Sequence, residues 1–151
     1  MGQTVTSISQ LVAALNKKAQ EALESDVAPI VKRVLKDSIQ AEVYDSYSPK
    51  RYHRRKADGG LMDENNIHSD VRNCTLTVKN HAPLAPGYPN SDFTKTLDEI
   101  IVTGSGYDYL GYGGAYEQPR DFYSIAKRQL SSSKEHVKAF RNGLKKRGVH
   151  T

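Results

Sequence analysis

The sequence predicts a single domain of the α+β class, residues 1–151, with helices at both ends and short strands between them. Three patterns support this prediction: an apolar helical periodicity near the N-terminus, an apolar–polar alternation in the middle, and a second helical periodicity near the C-terminus. A length of 151 residues is that of one ordinary domain. Hydrophobic residues make up only 37% of the chain and Trp is absent, so we expect subunit association to contribute to its stability.

The first predicted element is a helix or helix pair over residues 7–42. Apolar residues recur there at steps of three and four, which places them on one helix face: Ile8, Leu11, Val12, Leu15, Ala19, Leu23, Val27, Ile30, Val31, Val34, Leu35 and Ile39. Ser7 and Gln10 have the spacing of a capping box. Pro29 interrupts the pattern, because proline removes a helical hydrogen bond. One kinked helix and two helices that meet near Ser25 remain as alternatives, and we favour a kinked or broken long helix.

Three strands are predicted within residues 65–103. Asn65–Val71 and Cys74–Asn80 flank Arg72-Asn73, and the second segment alternates apolar and polar residues as a half-buried strand does. Leu97–Thr103 is the most apolar of the three and is predicted to be the central strand. Residues 82–96 contain three prolines, which indicates a long loop.

Residues 119–146 are predicted to form the C-terminal helices. Pro119 suits a first turn, and helical spacing follows at Phe122, Ile125, Ala126 and Leu130. Residues 131–133, all serine, are expected to break this helix. A last helix should then run from Lys134 to about Lys146.

Two Tyr-rich segments indicate protein–protein contacts. The first, residues 44–61, interleaves tyrosines with Arg and Lys before a Gly-Gly pair, and the second, residues 104–116, combines Gly with Tyr in low complexity. Tyr and Arg are enriched where proteins bury surface against partners. The predicted interface residues are Tyr44, Tyr47, Arg51, Tyr52, Arg54, Arg55, Tyr107, Tyr109, Tyr112, Tyr116 and Glu117.

No pattern typical of catalysis, of a cofactor or of a metal is convincing, so we expect a protein that is not an enzyme. The five histidines lack the i, i+4 spacing of zinc ligands. Asp63, Glu64 and His68 are more typical of a polar turn than of a metal site. Residues 104–106, Gly-Ser-Gly, lack the further glycine of a dinucleotide-binding loop. No run approaches the roughly 20 apolar residues of a membrane span, so no membrane partner is expected.

The formal net charge of +5 is concentrated at the C-terminal end. Residues 120–151 carry nine Lys or Arg and two acidic residues. Such an end suits contact with DNA or with an acidic protein face, and the candidate residues are Lys145, Lys146 and Arg147. Tyr interleaved with Arg also suits base stacking and phosphate contact. A nucleic-acid-binding accessory protein is therefore the alternative function.

Several quoted segments occur together in a family pattern. An amphipathic N-terminal helix is followed by VYDSYSPKRYHRRKADGGLMDENNI, CTLTVKN, EIIVTGSGYDY and YEQPRDFY, and then by a basic helix. This order resembles the small head–tail joining, or tail-completion, proteins of tailed bacteriophages. The resemblance covers residues 7–147 and is most specific at Tyr47–Leu61 and Glu117–Phe122. Asp121 stands where the family pattern usually has a second proline.

The resemblance implies a non-enzymatic virion protein that is synthesised in the host cytoplasm. Copies would form a ring of six or twelve at the neck, between portal-side head-completion proteins and tail-tube or terminator proteins, with double-stranded DNA passing through. It also implies an α+β fold in which helices pack on a small, mostly antiparallel sheet. A closed ring needs two different patches on each subunit, and the two Tyr-rich segments are our candidates for them.

Overall fold

A computed structural model describes residues 6–46, 48, 53–84, 96–105 and 118–150. Helices dominate these residues, and one two-stranded antiparallel sheet accompanies them, which confirms the predicted α+β class and the long N-terminal helix. The elements in chain order are α1 (Ile8–Ala22), a first π turn (Leu23–Val27), α2 (Ala28–Ile39), a second π turn (Gln40–Tyr44), a 3₁₀ turn (Glu64–Asn66), β1 (Ile67–Arg72), β2 (Thr75–Asn80), α3 (Leu97–Thr103), α4 (Phe122–Ser133) and α5 (Glu135–Lys146).

The N-terminal element is one continuous helical rod, Ile8–Tyr44, that passes Pro29 without a break. The first π turn lies directly before that proline, and the Ala28 N–H donates to the Leu23 carbonyl, five residues back. The wider turn accommodates the missing N–H and the bulk of the proline ring, which a regular helix would not. At the start of the rod, the Ser7 hydroxyl accepts from the Gln10 N–H at 3.3 Å. The Gln10 side chain accepts from the N–H of Thr6, so the predicted reciprocal cap is displaced by one residue.

The predicted hairpin forms, with its turn one residue later than expected. Arg72 pairs with Thr75, and Asn73 and Cys74 occupy the turn with φ of 50° and 56°. Positive φ at both central residues is the requirement of a type I′ turn, which matches the natural twist of the strands. Asn tolerates this conformation better than Arg does, so the turn centres on Asn73 and Cys74.

The predicted central strand Leu97–Thr103 is wrong, because this segment is the helix α3. Thr96 and Glu99 form a capping box at its start, in which the Glu99 carboxylate accepts from the Thr96 N–H at 3.1 Å. Gly104 ends the helix in the left-handed conformation, with φ of 66°. Both ends carry helix signals in the sequence, and they override the β propensity of the apolar residues between them.

The C-terminal helices differ from the prediction at their boundaries. Asp121, and not Pro119, starts α4: its carboxylate accepts from the N–H of Ser124 at 3.0 Å and from the hydroxyl of Ser124 at 2.6 Å. The three serines continue the helix, and Lys134 in the left-handed conformation ends it. Asp121 therefore supplies the N-cap of this helix.

The core lies where α2, the hairpin, α3 and α4 meet. The side chains that are fully buried there include Ile39, Leu61, Ile67 and Phe122. Burial of each such side chain contributes on the order of 2 kcal/mol. The rod thus contributes its second half to the core.

A buried polar network joins the hairpin to α3 and α4. The Tyr123 hydroxyl donates to Asp98 Oδ2 at 2.7 Å and accepts from the Asn80 N–H at 2.9 Å. The Asn80 side chain donates to the Leu61 carbonyl at 2.6 Å and accepts from the Ala82 N–H at 2.9 Å. Asp98 and Asn80 are fully buried. Satisfied networks of this kind fix one arrangement of the elements around them.

The basic C-terminal end is held against the rod by an ionic clasp, which consists of Asp26, Lys146 and Arg147. Lys146 Nζ lies 2.8 Å from Asp26 Oδ1, and Arg147 Nη1 lies 2.7 Å from Oδ2. Hydrogen bonds from these two side chains lower the pKa of Asp26. Arg147 also donates to the Glu21 carbonyl at 3.1 Å and to the Ser25 hydroxyl at 2.6 Å. The clasp therefore holds the C-terminal end of α5 against the rod.

Gly143 is the point of closest approach between α5 and the rod. A methyl group added there would lie 2.7 Å from Asp26 Oδ2 and 3.1 Å from Ala22 Cβ. We predict that Gly143→Ala lowers the free energy of unfolding by about 1–3 kcal/mol, because overpacking exceeds the helix-propensity gain of about 1 kcal/mol. Urea unfolding measures this change in the free energy of unfolding. The matched control is Asn142→Ala, at an exposed position of the same helix. Equal stability of the two variants would show that α5 does not pack as described.

The environment of the Tyr123 hydroxyl predicts that the folded state loses stability at alkaline pH. Burial, together with the neighbouring Asp98 carboxylate, raises the pKa of its hydroxyl above the ordinary value of 10.0. The folded state therefore favours the protonated hydroxyl, so this stabilisation is complete below about pH 10 and is lost as the pH rises toward the raised pKa.

We expect the unfolding free energy of Tyr123→Phe to fall less between pH 9 and pH 11 than that of the natural chain. The variant should also be less stable at pH 8, by about 1–3 kcal/mol, because Asp98 and the Asn80 N–H lose their partner. Parallel denaturation curves at several pH values would test both expectations, and identical pH slopes would contradict them.

Candidate assembly surface

Tyr44, from the first Tyr-rich segment, lies at the C-terminal end of the rod and is half-buried. Its hydroxyl donates to the Arg55 carbonyl at 2.6 Å, and burial raises its pKa. The Arg54 guanidinium carbon and Lys56 Nζ lie 5.6 Å and 5.1 Å from the centre of its ring, within the range of cation–π attraction. This predicted interface residue therefore contacts its own chain.

Arg54 and Arg55 also make contacts within the chain. Arg54 Nη1 donates to the Val43 carbonyl at 2.7 Å, which satisfies one of the free carbonyls at the end of the rod. Arg55 Nη2 donates to the Pro83 carbonyl at 2.7 Å. These bonds tie residues 53–56 to the rod on one side and to the segment after β2 on the other.

Hydrogen bonds join described residues on either side of three segments, which span residues 47–52, 85–95 and 106–117. Tyr44 and Arg54 close the base of the segment that contains Tyr47, Arg51 and Tyr52. The Leu97 N–H donates to the Ala82 carbonyl at 3.4 Å across residues 85–95, and the Arg120 N–H donates to the Ile101 carbonyl at 3.0 Å across residues 106–117. We call these the three loop bases.

The three loop bases lie close together. The Arg55–Pro83 bond joins the first base to the second, and α3 joins the second to the third, since it begins at Leu97 and includes Ile101. The described residues that flank these three segments therefore lie around α3, and two of the segments contain predicted interface tyrosines.

The predicted interface residues fall into two groups. Tyr44, Arg54 and Arg55 lie at the first loop base. The others lie outside the described residues: Tyr47, Arg51, Tyr52, Tyr107, Tyr109, Tyr112, Tyr116 and Glu117. Their role in subunit contacts stays a prediction.

The predicted DNA or acidic-partner residues are not equivalent. Lys146 and Arg147 belong to the clasp, so their acidic partner is Asp26 of the same chain. Lys145 is exposed. It lies at helical spacing from Lys138 and Arg141, which are also exposed, and these three residues form a basic row along α5 that the sequence prediction did not single out.

The first half of the rod carries an exposed apolar stripe, formed by Ile8, Leu11, Val12 and Leu15. Ile8 is 82% exposed, and the other three are between 41% and 49% exposed. The helical periodicity of these residues is correct, but no described part of the chain covers their face. Stripes of this kind mark contact surfaces on soluble proteins.

Several other polar groups in the described part of the chain belong to turns and ion pairs. There, no group of three or more His, Cys, Asp or Glu side chains could hold a metal ion. Asp63 accepts from the N–H groups of Gly59 and Asn65 at 2.8 and 2.9 Å, as a turn residue does. A groove of about 480 Å³ beside α2 is lined mainly by charged side chains, of which Lys36 pairs with Glu64 and Arg33 with Asp37. No helix among the described residues is long and apolar enough to cross a bilayer.

Comparison with known proteins gives one match. No curated protein and no solved structure matches the chain. The family model that does match is described as YomN, and it spans residues 7–146. The family is named after a Bacillus phage-region gene, which suggests a phage-derived protein. Because the match covers far more than half of the sequence, this chain belongs to the YomN family.

Proposed function

We propose that this protein is a structural component of a tailed-phage particle, in which its copies form a ring at the neck that joins the head to the tail. The phage-region family supports the phage origin. The observation that supports the assembly role is that described residues at the ends of both Tyr-rich segments are hydrogen-bonded close to α3.

A ring subunit needs a rigid frame. Head-to-tail contacts close into a ring only if the two patches of each subunit keep a fixed relative orientation. The bonds at the loop bases, with the Asn80–Tyr123–Asp98 network beside them, hold the ends of the Tyr-rich segments in place. Because hydrogen bonds hold the ends of these segments, less conformational entropy is lost when the segments bind a partner. In this proposal the tyrosines of one copy are covered by its neighbour.

The basic row on α5 suits a surface near the DNA channel. Lys138, Arg141 and Lys145 recur at steps of three and four, which puts them on one side of α5. Glu135, three residues before Lys138, pairs with Arg33. A row of like charges can meet phosphates along a passing duplex without reading its sequence.

The same row favours the alternative, a nucleic-acid-binding accessory protein. The two functions predict different behaviour of the free chain. An accessory protein binds duplex DNA with an affinity that falls steeply with salt, in proportion to the phosphates it contacts. A neck subunit has little affinity for free DNA and a mass that depends on concentration.

The ring proposal predicts that removal of tyrosines from the second segment abolishes assembly but not folding. We expect the natural chain to form a species of at least about six times 16.8 kDa at micromolar or higher concentration. The triple variant Tyr107→Ala, Tyr109→Ala and Tyr112→Ala should lose this species and keep its helical circular dichroism, because the core of the described residues includes none of the three. Mass photometry and light scattering measure the masses.

The matched control replaces the basic row, as Lys138→Gln, Arg141→Gln and Lys145→Gln. A neck subunit keeps its mass in this control. A ring that survives the tyrosine variant, or a natural chain without any species above a dimer at high concentration, would refute the proposal. Tight, salt-sensitive DNA binding that the control abolishes would establish the alternative.

A further inference from the structure

The apolar stripe on α1 has no partner among the described residues of its own chain. The contacts of α1 within the body are with its second half: Gly143 of α5 lies against Ala22, and the Cys74 sulfur at the hairpin tip lies 3.9 Å from the Asn16 carbonyl. The stripe begins at Ile8 and ends at Leu15, before both contacts. It exposes a few hundred Å² of apolar surface, which is the range of functional patches.

We propose that the stripe is the contact surface for a second copy of this chain, and that two copies pack α1 against α1 in antiparallel orientation. This contact does not depend on the proposed ring. It is an isologous pair, in which the same surface is used twice.

The spacing of the stripe is self-complementary. Its members follow one another at intervals of three, one and three residues, and this order reads the same in both directions. A two-fold axis between Leu11 and Val12 therefore places Ile8 of one copy against Leu15 of the other, and Leu11 against Val12. An antiparallel copy thus presents apolar side chains wherever the stripe presents them.

The charges near the stripe favour this occupant over others. The first charged residue of the sequence is Lys17, so the helix around the stripe is neutral. A second copy meets it without repulsion, although each chain carries a net charge of +5. In an antiparallel pair the Lys18 side chains of the two copies, which flank the stripe, lie at opposite ends, whereas a parallel pair would bring them to the same end.

A lipid surface fits the stripe less well. Helices that lie on membranes carry Lys or Arg along the polar face, opposite the apolar residues. The polar side of α1 opposite the stripe has Gln10 and Ala13, and its first charge comes at Lys17. An acidic or basic partner would likewise find no opposite charge around the stripe.

The area of the contact limits its strength. Two such stripes bury less than the roughly 1,200 Å² of a stable interface. The pair is therefore weak, and it populates in the range of tens of micromolar or above unless other contacts between copies support it. The test uses the full chain at those concentrations.

Position-specific cross-linking tests the proposal. Cys74 is replaced by Ser, single cysteines are introduced on α1, and a short bismaleimide joins two thiols that lie close together. Leu11→Cys, beside the proposed axis, should cross-link with itself. Ile8→Cys alone should not, because the two copies of residue 8 are offset by about 10 Å along the helix, but a mixture of Ile8→Cys and Leu15→Cys should. Denaturing gels report the covalent dimer, whether or not rings form.

Two controls separate a real pair from random collision. Ala13→Cys is exposed on the opposite side of α1 and should give no dimer above background. Addition of Leu15→Glu to the Leu11→Cys chain should lower the dimer yield at least about tenfold, because each pair then buries two carboxylates. Both changes lie on exposed positions, so circular dichroism should stay unchanged.

Three outcomes would overturn the proposal. A Leu11→Cys chain that gives no dimer at about 100 µM has no such contact in the affinity range argued above. Self-linking of Ile8→Cys would show a parallel pair. Cosedimentation of the uncross-linked chain with neutral or anionic vesicles, abolished by Leu15→Glu, would assign the stripe to lipid. Loss of the ring in the tyrosine variant, with Leu11→Cys dimers retained, would leave both proposals standing independently.

Discussion

The hydrogen bonds of Tyr123 are the interaction on which the arrangement of the body depends most. One hydroxyl bridges Asp98 at the start of α3 and the backbone of Asn80 at the end of β2, while its ring lies on α4 beside Phe122, with ring centres 4.6 Å apart. Asn80 in turn holds Leu61 and Ala82. Through Ala82 and the start of α3, this network also adjoins the bond between the Leu97 N–H and the Ala82 carbonyl. A buried polar network stabilises only the arrangement in which each polar group makes its hydrogen bonds.

The contrast between the predicted and the observed role of Tyr44 follows from the same physics. Tyr, Arg and Lys interleaved in a sequence indicate sites of dense contact, but the pattern does not distinguish contact with another subunit from contact within the chain. Arg54 and Arg55 satisfy backbone carbonyls of their own chain. Tyr44, Arg54 and Arg55 therefore anchor the segment within the chain, and their predicted role in subunit contacts stays a prediction, as does that of the residues between and beyond them.

Much of the fold could be predicted from local patterns, and the misses have identifiable causes. The rod, the hairpin and both C-terminal helices each carry their own periodicity or turn signal, so the sequence predicts them. The β propensity of Ile100, Ile101 and Val102 predicts a strand at residues 97–103, but the helix caps formed by Thr96, Glu99 and Gly104 override it. The acidic partner of Arg147 could not be predicted, because Asp26 lies more than a hundred residues away in sequence. Exposure of the stripe also depends on tertiary packing that no local pattern contains, so the sequence placed these residues on the right helix face without showing that the face is free.

The first π turn determines the direction in which the start of the rod points. Apolar residues at 15, 19, 23 and 27 are four apart, and each such step overshoots a full helical turn by about 40°. Over three steps the apolar face would drift by about 120°, and the one extra residue that a π turn accommodates takes back about 100° of that drift. Loss of a single residue from Leu23–Val27 would keep both flanking helices intact yet turn the N-terminal one by more than a quarter of a revolution. The number of residues in Leu23–Val27, more than their identity, therefore sets the rotation of the apolar face of α1 relative to that of α2.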